Sequence, residues 1–115
     1  MAAYANVPPF KGHSVVSVAE MYLGRPVAGG MPRYASPLRD TVARVAPAYV
    51  ETPELDPLHD QGRAYAQVLI DIGVEVESNE IGGGIHGFDL LAASSSVARD
   101  AMQRRIGFLR RVFGT

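Results

Sequence analysis

AYVETPELDPLHDQGRAYAQVLIDIGVEVESNEIGGGIHGF, residues 48–88, decides how this 115-residue chain is read. Ala48–Thr52 is β-prone and stops at Pro53. Asp60 stands as the cap of a helix running through Ile72, with Tyr65, Val68, Leu69 and Ile72 on one face. Gly73 tolerates positive φ and is the natural stop. Val74–Ile81 then alternates, Val74 and Val76 against Glu75 and Glu77, as a strand with one buried face does. Gly82-Gly83-Gly84 ends that strand. A helix of about a dozen residues between two strands implies a right-handed parallel crossover. The fold class is therefore α/β.

Outward from this stretch the signals differ on the two sides. Downstream, a helix is expected from about Ser94–Ser96 to Val112. Its apolar face is Ala98, Ala101, Met102, Ile106, Leu109 and Phe113. Its polar face is Asp100, Gln103, Arg104, Gly107, Arg110 and Arg111, with solvated arginines. Upstream, residues 1–46 are punctuated by Pro8-Pro9, Gly12, Gly24, Pro26, Gly29-Gly30, Pro32 and Pro37, which limit long elements. One short helix is expected from about Ser17 to Leu23. Ser36-Pro37 reads as a second helix start, for one or two turns to about Val42. The expected organisation is thus a loop-rich lead-in with short helices, 1–46, and a strand–helix–strand–helix unit, 47–115.

Composition bounds the function. The chain is 47% hydrophobic and 20% charged, with net charge −1, which is globular and not disordered. With no cysteine, a disulfide scaffold, a thiolate metal site and a cysteine nucleophile are excluded. No apolar run approaches the roughly 20 residues of a membrane span. The opening residues lack the charge and apolar core of a secretory leader, so a cytoplasmic location is expected. Charge is uneven: the balance is +3 over 11–44, −8 over 51–89 and +4 over 99–111. A basic C-terminal helix suggests an anionic partner, but the acidic segment beside it argues against nucleic acid.

In an open α/β sheet, functional groups gather beyond the carboxyl ends of the strands. Two polar clusters lie there, Glu54–Asp60 and Gly82–Phe88. Parallel strands bring both loops out at one edge, so Asp56 and His86 are able to meet. An Asp that accepts from one ring nitrogen of a His fixes its tautomer and leaves the other nitrogen as a base. The bland alternatives are an Asp that forms a turn before Pro57 and a His with a satisfied loop hydrogen bond. Asp60 is given no chemical role beyond its cap, and His59 is expected to face solvent. Asp56, His59 and His86 are workable metal-ligand types but lack a compact ligand motif, so no metal and no cofactor are expected. The triple glycine is not a phosphate loop: no Gly-Lys-Ser/Thr follows, and no helix opens at the required place.

Taken in order, Ser36-Pro37-Leu38, Pro47-Ala48-Tyr49-Val50, Glu54-Leu55-Asp56-Pro57-Leu58-His59-Asp60-Gln61-Gly62, Tyr65-Ala66, Gly73-Val74 and His86-Gly87-Phe88 resemble the carboxyl-terminal part of the hormone-sensitive-lipase-like branch of the α/β hydrolases. The ordered set over residues 36–113 is specific; residues 1–35 match loosely, best at Met21-Tyr22-Leu23-Gly24. The resemblance implies hydrolysis of carboxylic esters by a Ser–Asp–His triad, with Asp56 as the triad acid and His86 as the general base and acid.

The departure is equally plain. These residues contain no G-x-S-x-G nucleophile elbow and no HGGG-type oxyanion loop. The expectation is a C-terminal fragment of an esterase or lipase that carries Asp56 and His86, is inactive alone, and acts on small acyl esters only when complemented. The alternative is a non-catalytic interaction or structural remnant. Either way an exposed sheet edge is expected to make the chain marginal, self-associating or dependent on a partner chain.

Overall fold

Two parallel strands in register organise the molecule. In this computed structural model, which describes residues 4–30, 32, 35–39 and 45–115, β1 is Ala48–Pro53 and β2 is Val76–Ile81. They pair from Ala48 opposite Val76 to Pro53 opposite Ile81. The sheet has two strands among the described residues, so each strand keeps one unpaired edge. Helix α1 spans Gly12–Leu23, α2 His59–Asp71, α3 Phe88–Leu91 and α4 Ser96–Phe113.

Alternation sends successive strand residues to opposite faces, and a helix covers each face. On one, α2 buries Ala66 and Leu69. A Cβ on Gly62 would lie 2.7 Å from Thr52 Cγ2, so the absent side chain sets how closely α2 approaches β1. On the other, α4 lays Ala98, Ala101 and Phe108 inward. Ala98 and Ala101 form one buried cluster with Ile81 and Phe88, and the Phe108 ring sits 5.7 Å from that of Tyr49. Along β2, Glu77, Asn79 and Ile81 on the α4 side are half-buried or buried, while Ser78 and Glu80 on the α2 side are exposed. The strand is one-sided, as its alternation suggests, but it begins at Val76 and not Val74, and its inward face is that of Ile81 and not that of Val74 and Val76.

Among the described residues the buried set is small. The Cα radius of gyration is 15.5 Å, against roughly 13 Å for a compact domain of this length.

The helix boundaries carry further corrections. Helix α1 begins five residues before the expected start. Its first residue, Gly12, is fixed by a hydrogen bond to the Ala5 carbonyl at 2.7 Å and by close packing on Ala5, a contact invisible to local propensity. Gly24 closes it in the left-handed region. The Ser36-Pro37 start gives a single 3₁₀ turn, Pro37–Arg39; the rest of that expected helix, 40–42, lies outside the described residues. Asp60 is not the cap of α2. That position is Leu58, whose side chain makes no cap bond, and Asp60 lies in the first turn. Ser95 does cap α4, accepting from the Ala98 N–H at 3.1 Å.

The inward face of α4 agrees with the expected one at Ala98 and Ala101 but not beyond them. It is Ala98, Ala101, Arg105 and Phe108, while Met102, Ile106, Leu109 and Phe113 are exposed. Small alanines let the helix approach the sheet, and Arg105 finds carboxylates there. Nor are all the arginines solvated: Arg105 pairs with Glu51 and Asp89, and Arg111 with Glu77. Among the described residues no helix is long and apolar enough to cross a membrane.

Candidate active site

Because β1 and β2 are parallel, the loops after Pro53 and Ile81 leave the sheet at the same end. Three hydrogen bonds, two between backbone groups and one to a side chain, hold the loops together. The Glu54 N–H donates to the Ile81 carbonyl at 3.0 Å and the Leu55 N–H to the Gly84 carbonyl at 2.8 Å. The Gly83 N–H donates to Glu54 Oε2 at 2.7 Å. The strand ends are thus extended into a short, tied pair of loops.

Asp56 is 6% exposed, and its two oxygens have different partners. Oδ1 accepts from the Leu58 N–H at 2.8 Å, a local turn bond of the kind that Asp makes before a helix. Buried Pro57 holds the chain between them. Oδ2 lies 2.7 Å from His86 Nδ1. With the carboxylate ionised, Nδ1–H is the donor. Proton and ring orientation are then both set by Asp56, and Nε2 carries the basic lone pair. The imidazole is 40% exposed on its side chain. Its face lies against Phe10, with ring centroids 4.6 Å apart. No hydrogen bond of Nε2 occurs among the described residues.

His86 and Asp56 line a cleft of about 380 Å³ with Glu51, Thr52, Leu58, His59 and Gln61. The cleft lies beside β1, at the end of the sheet where the tied loops meet. A base on its wall can accept a proton from a hydroxyl brought into it and return the proton to a leaving group.

The other polar candidates serve different ends. His59 is buried, not solvent-facing as the sequence suggests. Its Nδ1 lies 3.0 Å from Asp60 Oδ1, and the bond holds the Asp60 carboxyl below its ordinary range. Its Nε2 stands 3.5 Å from Glu80 Oε2 and makes no hydrogen bond. The ring meets the edge of Tyr4 at a centroid distance of 6.4 Å. The His59 ring thus pairs with Asp60 and approaches Glu80, while the residue also lines the cleft of Asp56 and His86. Among the described residues no group of three His, Asp or Glu is placed to hold a metal ion.

A second polar group secures the far side of the His86 loop. Arg105 Nη1 donates to Asp89 Oδ2 at 2.7 Å, and Nη2 and Nε reach the Glu51 carboxylate. The guanidinium pKa is raised, chiefly by its bonds to Glu51, while the Arg105 bond holds the Asp89 carboxyl low. Tyr49 Oη accepts from Asn79 Nδ2 at 2.9 Å and donates to Glu51 Oε2 at 3.1 Å, with burial raising the phenol pKa. This network ties β1 to the helix that begins two residues after His86.

The two residues singled out from the sequence, Asp56 and His86, are thus brought together. Phe10, Glu54, Arg105 and Asp89 were not singled out. Glu54 had a usable signal, standing two residues before Asp56 in the same polar loop. Phe10 and Arg105 had none, since only long-range folding delivers them.

Comparison with known proteins gives a consistent picture. A family model described as the alpha/beta hydrolase fold matches residues 2–90. The carboxylesterase NlhH of Mycobacterium tuberculosis is 32% identical over 81 residues, 70% of this chain and 25% of that enzyme. The esterase LipI of the same organism is 28% identical over 111 residues, 96% of this chain and 35% of that enzyme. The solved structure of an esterase of Pyrobaculum calidifontis superposes with a TM-score of 0.80 at 28% identity, covering 90% of this chain and 34% of that one. The chain spans about a quarter to a third of the length of these relatives.

Proposed function

The chain belongs to the alpha/beta hydrolase family, and from that premise we propose that Asp56 and His86 are the orienting acid and the general base of a carboxylic-ester hydrolase. The observation that carries the reading is the 2.7 Å contact between His86 Nδ1 and Asp56 Oδ2, made across 30 residues by a buried carboxylate and a half-exposed imidazole. The names of the relatives, carboxylesterase and esterase, give the substrate class.

The serine nucleophile lies outside these 115 residues. Of the seven serines, Ser14 and Ser17 lie in α1, Ser78 lies in β2, and Ser94, Ser95 and Ser96 lead into α4; Ser36 precedes a 3₁₀ turn. None occupies the strand-to-helix elbow that exposes a nucleophile. When such a serine enters the cleft, His86 Nε2 takes its proton as Oγ attacks the acyl carbonyl. Asp56 stabilises the imidazolium that forms. The same nitrogen then protonates the departing alcohol, and afterwards deprotonates the water that releases the acid. Backbone donors for the oxyanion come with the serine, in the region these residues do not include.

The experiment is complementation. A carboxylesterase relative from which the matching segment has been removed is co-expressed with this chain and assayed on a p-nitrophenyl ester. Hydrolysis is expected to appear with the chain and to fall by about 10⁴-fold with His86→Ala or Asp56→Asn, the scale of losing a triad member. Full activity with His86→Ala overturns the proposal. The chain alone is expected to match the Asp56→Asn, His86→Ala control.

A second reading is favoured by the exposed apolar row Met102, Ile106, Leu109 and Phe113 on α4, together with the free strand edges. It is a non-catalytic piece that binds a partner chain. Complementation that restores a folded complex without hydrolysis selects it.

A further inference from the structure

The segment that delivers His86 is the least self-supporting backbone of the site. Gly82, Gly83 and Gly84 carry no side chain to anchor it, and glycine has the most backbone freedom to lose. Gly83 sits at φ +66 with open space where a Cβ would project, and a Cβ on Gly84 would come within 2.8 Å of Ile81 Cγ2. A side chain would be strained at Gly83 and crowded at Gly84, so the turn rests on its own Gly84 N–H to Ile81 carbonyl bond at 3.0 Å and on ties from the neighbouring loop.

Two of those ties are backbone bonds at the strand ends. The third reaches the tip: Glu54 Oε2 accepts the Gly83 N–H at 2.7 Å. Among the described residues no other side chain bonds the backbone of residues 82–87. Glu54 stands two residues before Asp56 and acts three residues before His86. One short loop therefore holds the imidazole in two ways, directly through Asp56 and indirectly through the turn.

We propose that Glu54 is a positioning residue for His86, acting by holding the Gly83 N–H so that the ring arrives with Nδ1 on Asp56. What the oriented ring is used for rests on the hydrolase reading; the orientation itself does not. An accepting oxygen is what the geometry asks of position 54, so Glu54→Gln fulfils the role and Glu54→Leu, of similar size, does not.

The test reads the ring without reference to hydrolysis. The chain is labelled with ¹⁵N in its histidine rings, and His86 is assigned by difference with His86→Ala. In the unmodified chain His86 is expected as the Nδ1–H tautomer with a slowly exchanging, Asp56-bonded proton. Glu54→Leu is expected to reduce that population relative to the unbonded ring by about fivefold, the equilibrium weight of one hydrogen bond. Glu54→Gln is expected to restore it, with the helical circular dichroism of both variants unchanged. An unaltered ring in Glu54→Leu overturns the proposal. So does a Glu54→Gln that loses the tautomer as fully as Glu54→Leu. An ordered ring that depends on Glu54, in a complemented complex that hydrolyses no ester, supports this role and removes the hydrolase reading.

Discussion

Residues 45–115 and the described part of the lead-in, residues 4–30, 32 and 35–39, meet at His86 and His59 through Phe10 and Tyr4, yet they are built differently. In the C-terminal region each important side chain finds its partner within the same region: Asp56 with His86, Arg105 with Glu51 and Asp89, Ala101 with Ile81. In the lead-in, α1 leaves Val16, Val18, Met21 and Tyr22 exposed, and its region touches the site mainly through the rings of Phe10 and Tyr4. The difference teaches that the acid–base pair is held by its own strand–helix–strand unit. The lead-in covers it and does little to shape it.

The strongest way to break that comparison is to remove Asp56. Asp56→Ala deletes the acceptor of the Leu58 N–H as well as the partner of His86. Losing two hydrogen bonds of a buried carboxylate is expected to cost about 3 kcal/mol, seen as a lower urea midpoint. Asp56→Asn keeps the turn acceptor and is expected to lose about half as much. A neutral Asp56→Ala would mean that the site is held by the lead-in after all.

Next in size is Gly62→Ala. The added Cβ would lie 2.7 Å from Thr52 Cγ2, so α2 must lift from β1, at about 2 kcal/mol of overpacking. Thr52→Ser together with Gly62→Ala removes the clashing methyl and is expected to recover most of the loss.

These two positions also show where sequence reasoning works and where it stops. The strands, α2 and the turns at Gly73 and Gly82–Gly84 were legible because local patterns agree with the fold there. Gly73 at φ +83 does what its sequence position suggests. The meeting of Asp56 and His86 was legible because parallel strands of matched length put their loops at one edge. The burial of His59 was not, since Tyr4 and Glu80 arrive from distant parts of the chain. The cap of α2 is not legible at Asp60 because the chain enters the helix one residue earlier, at His59, which leaves Leu58 at the cap position. On α4 the sequence points correctly to Ala98 and Ala101, while hydropathy gives false weight to Met102, Ile106 and Leu109. Packing instead adds Phe108 to the inward side, and Arg105 with its two carboxylates.

A smaller effect sharpens the comparison through pH. Asp89 is held low by Arg105, and its side chain is 28% exposed. A lowered folded pKa gives stability that is fully present above the unfolded value, about 3.9, and is lost as pH falls through the folded value. Arg105→Met removes the cause. It is expected to cost about 1 kcal/mol at neutral pH, given partial exposure, and to flatten the acid limb of the stability curve below about pH 4. An acid limb that stays as steep in Arg105→Met would show that another carboxylate provides it.

The smallest effect tests the lead-in itself. Met21 and Tyr22 are 74% and 76% exposed, so exchanging both for serine removes almost no buried apolar area. Surface changes of this kind stay within about 0.5 kcal/mol. The double variant is therefore expected to unfold at the same urea concentration as the unmodified chain. Apolar side chains this exposed favour association, so its monomer fraction on size exclusion is expected to rise. A loss above about 1 kcal/mol would place these residues in contact with something at the concentration used, such as a second copy. The unfolding midpoint would then depend on concentration, and the contrast between a self-contained site and an uncovered lead-in would have to be drawn for the assembly instead of the single chain.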